Sequence, residues 1–156
     1  MARGEGMAVA LADGHMRDPL DGTDPRGKRT RLLVVEDEMS TIFALRSFFA
    51  YSGFDVDCAA GPGDGVHLLE RNAYDAVITD LQLTPGGVEG FEVAEVARRR
   101  NPAACVVMLT AYGSLATERR ARQSGVDVYQ TKPIALDLLA DAIHGVLEAR
   151  TTCRPH

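Results

Sequence analysis

Five short apolar runs, spaced by segments of helical length, constrain this chain more than any other feature. The runs are "LLVV" from Leu32, "DVDCAA" from Asp55, "DAVIT" from Asp75, "CVVML" from Cys105 and "DVYQT" from Asp127. Between them lie amphipathic segments that start near Ser40, Gly63, Glu89, Ser114 and Ala135. Ile42, Leu45, Phe48 and Phe49 fall at helical spacing in the first, and Leu138, Leu139, Ile143, Val146 and Leu147 in the last. Pro62 suits a first helical turn, and Gly53 and Gly125 suit helix ends. Strand and helix alternating in this way predict an α/β domain, a parallel sheet with helices on both faces. The predicted domain covers residues 31–150. Residues 1–30, rich in Gly, Pro, Asp and Arg without apolar period, read as a flexible N-terminal tail, with Met7 and Met16 as alternative starts. Residues 151–156 read as a short C-terminal tail that leaves no room for an output domain.

Charge and composition exclude several classes. The net charge is −5, which gives no reason to expect a nucleic-acid-binding surface. No apolar run approaches the roughly 18 residues of a membrane helix. The start lacks the basic, apolar and small-residue order of an export signal. Cys58, Cys105 and Cys153 are odd in number and without metal spacing, which fits a reducing cytoplasm. His15, His67, His144 and His156 lack paired spacing. The stretch Gly61-Pro62-Gly63-Asp64-Gly65 lacks the Lys-Ser/Thr ending of a phosphate loop.

In an open parallel sheet the site lies at the carboxyl ends of the strands. The first run ends in Glu36-Asp37-Glu38, the third in Asp80, the fourth in Thr110-Ala111 and the fifth in Lys132-Pro133. A lone acid at a strand end is usually a turn residue. Here acids, a hydroxyl and a lysine converge on one edge. Crowded carboxylates protonate or recruit a cation, and oxygen ligands without His or Cys favour Mg²⁺. With Lys132 and Thr110 beside it, such a group can make a carboxylate a phosphoryl acceptor.

The stretches "LLVVEDE", "DAVITDLQL", "VVMLTAYG" and "VYQTKP" together resemble the receiver domains of two-component response regulators. The resemblance covers about residues 31–150 and points to the single-domain type. It implies a flavodoxin-like doubly wound (βα)5 three-layer sandwich, with a five-stranded parallel sheet in order 2-1-3-4-5. It implies phosphorylation of Asp80 by a sensor histidine kinase or phosphotransfer protein. Mg²⁺ would be held by Glu36, Asp37, Asp80 and the backbone carbonyl of Gln82. Thr110 and Lys132 would contact the phosphoryl group, and Tyr129 would change rotamer with Thr110 as a switch. The Lys132–Pro133 peptide matches one that is often cis. Gln82 and Tyr112 match positions that flank the attacking water and set the lifetime of the phosphorylated state.

Two departures from the pattern stand out: Glu36 replaces the commoner Asp, and the loop after Asp80 is about two residues longer, with Thr84 before Pro85 and a late Gly90. The chain thus reads as a cytoplasmic phosphoacceptor, a monomer or weak dimer signalling to a downstream protein. It reads as no enzyme beyond Mg²⁺-dependent self-phosphorylation from small donors and autodephosphorylation. The competing readings are a phosphorylation-independent adaptor and a phosphatase-like hydrolase. Intact acids argue against the first; Gln82, in place of a second aspartate, argues against the second. Phe43 falls off the apolar stripe and is expected to be exposed as a kinase-docking aromatic. Arg98, Arg99 and Arg100 read as a solvated helix terminus, and Arg119, Arg120 and Arg122 as a solvated or partner-binding face.

Overall fold

The computed structural model describes residues 27–153, with side chains through Thr151. Met7, Met16, His15, His156 and most of the expected N-terminal tail lie outside the described residues. The strands are β1 (Arg31–Val35), β2 (Asp55–Ala59), β3 (Ala76–Asp80), β4 (Cys105–Thr110) and β5 (Val128–Thr131). The helices are α1 (Met39–Tyr51), α2 (Pro62–Arg71), α3 (Gly90–Arg100), α4 (Leu115–Gln123) and α5 (Leu136–Cys153). All strand pairs are parallel and the sheet order is β2-β1-β3-β4-β5, as the sequence resemblance implies. Each crossover helix covers a face, so β1, β3 and β4 are apolar on both sides. Leu33, Val35, Val77, Val106 and Met108 pack with α2, α3 and α4. Leu32, Val34, Ile78, Val107 and Leu109 face α1 and α5.

Local signals set several joints. Pro62 opens α2, and Gly53 and Gly125 take positive φ after α1 and α4. Ser114 and Thr117 form a reciprocal capping box at α4. The boundaries differ from expectation at both ends. Arg29 Nε donates to the Gly53 carbonyl at 3.0 Å, and the Thr30 carbonyl accepts the Asp55 amide at 2.9 Å, so these two residues are already fastened to the domain. At the other end α5 continues through Cys153, three residues past Arg150. Leu138 departs from the expected buried stripe and is exposed, because Leu139, Ile143, Val146 and Leu147 already fill the sheet-facing side of α5.

Arg98 is the clearest correction. It is no solvated terminus: its guanidinium donates to the Pro102 carbonyl at 2.6 Å, the Ala104 carbonyl at 2.8 Å and the Gly125 carbonyl at 2.7 Å. It also pairs with Asp127 Oδ2 at 2.6 Å. Arg150 pairs with Asp127 Oδ1 from α5, and the Val106 amide donates to Oδ2 at 2.9 Å. One half-buried carboxylate therefore ties α3, α5 and the starts of β4 and β5 together. Arg99 and Arg100 are exposed, as read. On the neighbouring face, Arg120 lies over the Phe91 ring at 4.2 Å from its centroid, and Arg122 pairs with Glu118.

Burial works against the Asp127 charge, yet its bonds from Arg150, Val106 and Arg98 outweigh that and hold its pKa below the ordinary range. The folded state thus binds this proton less tightly than the unfolded chain. The stabilisation is present above the unfolded pKa and lost as pH falls through the folded one. Asp127→Ala removes the carboxylate shared by Arg98, Arg150 and the Val106 amide. Backbone carbonyls still accept from both arginines and the site is only half-buried, so the expected cost is about 2–3 kcal/mol, below the range for breaking a fully buried pair. Urea unfolding at neutral pH checks the cost. The same measurement at acid pH should find the gap between variant and wild type narrowing as Asp127 is protonated.

Candidate functional site

The sheet order brings the predicted groups to one edge. Glu36 follows β1, and its amide donates to the Ala59 carbonyl at 3.1 Å, which extends the β1–β2 ladder by one bond. Asp80 ends β3 beside Leu109 of β4. Thr110 ends β4, and its carbonyl accepts the Lys132 amide at 2.8 Å. The Lys132–Pro133 peptide is cis. Glu36 is 1% exposed and Asp80 8%, whereas Asp37 is open to solvent. Ligand oxygens of Glu36, Asp37 and Asp80 lie within 4.8 Å of one another. The longer glutamate arm therefore reaches the same pocket.

Lys132 bridges the two buried acids. Its Nζ lies 3.1 Å from Glu36 Oε1 and 3.4 Å from Asp80 Oδ2. Glu36 Oε2 also accepts the Glu38 amide at 3.2 Å. These partners do not cancel the penalty. Burial first, then the Asp80 charge, push the Glu36 carboxyl up to about 7. Burial likewise raises Asp80 against the opposing pull of Lys132. Burial lowers the Lys132 ammonium, but its bond to Glu36 and the charges of Asp80 and Glu36 outweigh this and hold it above its ordinary value.

Were all three carboxylates ionised, one ammonium would leave a net −2 at the pocket, a charge that the raised Glu36 and Asp80 carboxyls reduce by holding protons. At the 4.8 Å outer limit of their separation, an ionised carboxylate pair repels by about 3.5 kcal/mol at an effective dielectric of about 20. A hard divalent cation removes that charge, and the all-oxygen donor set fits Mg²⁺. The group could hold such an ion.

The remaining predicted residues surround this centre. Thr110 is buried, and its hydroxyl turns toward the following loop, where it accepts the Tyr112 amide at 3.2 Å and donates to the Tyr112 carbonyl at 3.3 Å. Tyr129 is half-buried, with its hydroxyl 2.6 Å from Thr117 Oγ1. Thr117 was missed by sequence reasoning, although the Ser-x-x-Thr capping pattern after Gly113 was a signal for it. The Gln82 side chain is exposed, and Tyr112 is 83% exposed. Phe43 is 73% exposed on α1, as expected. Gly90 carries the loop back over the end of β3. A Cβ there would meet the Asp80 carbonyl oxygen at 2.3 Å and Leu81 Cα at 2.7 Å, so the close approach requires glycine.

The model of the response regulator receiver domain matches residues 32–144. The chain belongs to that family, the receiver domains of two-component response regulators. It is 38% identical over 109 residues to the transcriptional regulatory protein TcrA of Mycobacterium tuberculosis, covering 70% of this chain and 42% of TcrA. It is 34% identical over 111 residues to the transcriptional regulatory protein CusR of Escherichia coli, covering 70% of this chain and 48% of CusR. The chain thus spans less than half the length of these relatives. A CheY-like receiver domain protein of Methanospirillum hungatei shares the fold at a TM-score of 0.73 and 24% identity, over 79% of this chain and 97% of that one.

The raised Glu36 carboxyl has a thermodynamic consequence. Between its ordinary value of 4.5 and about 7, the folded protein holds a proton that the unfolded chain releases. Stability without divalent cations should therefore fall as pH rises through that window. Glu36→Gln should flatten the decline. Urea unfolding in EDTA across the same pH range checks both outcomes.

Proposed function

We propose that this receiver domain is a phosphoacceptor, taking a phosphoryl group on Asp80 from a sensor histidine kinase or a phosphotransfer protein. The observation that carries the reading is the shared position of Asp80, between the Lys132 ammonium and the acids Glu36 and Asp37, one strand from Thr110. A carboxylate oxygen of Asp80 attacks phosphorus in the donor's phosphohistidine. The P–N bond breaks, its electron pair returns to the imidazole, and an acyl phosphate forms. Lys132 neutralises a phosphoryl oxygen once freed from its bond to Asp80. Thr110 donates its hydroxyl to another, giving up the Tyr112 carbonyl. Glu36, Asp37, Asp80 and the Gln82 carbonyl would hold Mg²⁺, which supplies positive charge against the phosphoryl oxygens when bound.

The same chemistry sets output and duration. Inward movement of Thr110 opens space for the Tyr129 ring, whose hydroxyl then leaves Thr117. The altered surface includes α4 and β5, a two-state element biased by local charge. Gln82 orients a hydrolytic water, and the exposed Tyr112 ring shields its approach. Output passes through protein contacts with a downstream target, in the cytoplasm, with the domain a monomer or weak dimer. Among the described residues no helix is long and apolar enough to cross a membrane.

Labelling with radioactive acetyl phosphate tests the acceptor. Wild type should label only with Mg²⁺, and Asp80→Asn should fall to background while keeping its fold. Asp37→Ala should weaken Mg²⁺ affinity by more than about tenfold, the lower bound seen when mere outer-shell partners are lost. A folded wild type that never labels would favour the adaptor reading.

Phe43 and Met39 stand 73% and 70% exposed on α1, beside the acidic pocket. Exposed aromatics of this kind anchor interfaces. Phe43→Ala should slow transfer from the cognate kinase roughly tenfold, about 1.4 kcal/mol, and leave transfer from acetyl phosphate unchanged. Parallel time courses with the two donors check this.

A further inference from the structure

Glu89 immediately precedes α3, the usual place for a capping side chain, yet it makes no side-chain cap bond to that helix. The carboxylate turns back into the loop after Asp80. Its Oε1 accepts the backbone N–H of Leu83 at 3.2 Å, and its Oε2 accepts the Thr84 hydroxyl. The Thr84 hydroxyl first, then other bonds including the Leu83 amide, hold its pKa below the ordinary range. Gly87 makes the room. A Cβ there would fall 2.3 Å from Oε2 and 2.4 Å from Oε1. The turn that brings Glu89 back is closed by the Gly87 amide on the Thr84 carbonyl at 2.9 Å, within the stretch that lengthens this loop.

The Leu83 N–H and the Gln82 carbonyl are two ends of one planar trans peptide. Fixing the N–H toward Glu89 fixes the carbonyl in the opposite direction. The neighbouring Leu81 carbonyl is already taken by the Gly90 amide at 2.9 Å, so it offers no substitute. Among the described residues none donates to the Gln82 carbonyl. An anionic acceptor on the N–H end also polarises the peptide and places more electron density on the oxygen. A hard cation binds such an oxygen more tightly.

We propose that Glu89 is a positioning residue for the divalent-cation site, aiming and polarising the Gln82 carbonyl through the Gln82–Leu83 peptide. The inference rests on the reading of that carbonyl as a ligand under the proposed function. It assigns a task to the longer loop, whose Gly86-Gly87 turn lets a helix-start carboxylate reach back to the peptide beside Asp80. Glu89 touches neither the cation nor the phosphoryl group in this scheme.

Calorimetric Mg²⁺ titration of the full chain tests it with three variants. Glu89→Ala should weaken affinity about tenfold, as loss of an outer-shell orienting partner does. Glu89→Gln keeps an acceptor oxygen without the charge and should fall between Ala and wild type. Gly87→Ala leaves Glu89 intact but displaces its carboxylate, and should weaken affinity as Glu89→Ala does. The ¹³C shift of the Gln82 carbonyl should move on Mg²⁺ addition in wild type and less in Glu89→Ala, a readout that loop closure alone would not change. Wild-type affinity in both Glu89→Ala and Gly87→Ala overturns the inference and leaves the acceptor reading intact. If Glu89→Ala fails to fold, Gly87→Ala and Glu89→Gln decide. Absence of Mg²⁺ binding in wild type overturns both readings together.

Discussion

Lys132 holds together two buried carboxylates whose like charges would otherwise force them apart. Its ammonium reaches Glu36 at 3.1 Å and Asp80 at 3.4 Å, but one positive charge cannot balance three ionised acids. The sheet order makes this crowding unavoidable. β1 and β3 are neighbours, so the residues after them share a pocket, and β4 and β5 bring Thr110 and Lys132 to its side. The pocket is left net negative and partly protonated near neutral pH. That is an energetic imbalance which a divalent cation is suited to relieve.

Stability and chemistry sit at opposite ends of the strands. The Asp127 carboxylate gathers Arg98 and Arg150 at the amino ends of β4 and β5. There every charge has a partner and the carboxyl stays ionised. At the carboxyl ends the balance is reversed, and Glu36 and Asp80 rise above their ordinary values. Among the described residues the Thr110 hydroxyl bonds within its own loop, and the Tyr129 hydroxyl meets Thr117, a side chain of the adjacent helix.

Much of this was legible in the sequence because it is periodic or terminal. Apolar runs marked the strands, and the residues that stop them, Glu36, Asp37, Asp80, Thr110 and Lys132, are those the sheet order brings to one edge. Contacts without period were not legible. Arg98 sits in a basic run that reads as solvent-facing, but its partners Gly125 and Asp127 lie 27 and 29 residues away. Glu89 looks like an ordinary first-turn acid until the loop is seen folding back on it. Leu138 fits a helical apolar pattern, yet the sheet leaves room for only one side of α5. The end of α5 also eluded composition, since Thr151 and Thr152 carry no strong helix signal and are nonetheless helical.

The central claim is that this particular carboxylate, rather than any other acid of the pocket, receives the phosphoryl group. The direct test is peptide mapping by mass spectrometry after the wild-type protein has been incubated with Mg²⁺ and acetyl phosphate, with borohydride reduction to trap the acyl phosphate. The account predicts a single modified residue, Asp80, and no trapped product when Mg²⁺ is withheld. Trapped product at Glu36 or Asp37, or equal modification without Mg²⁺, would contradict it.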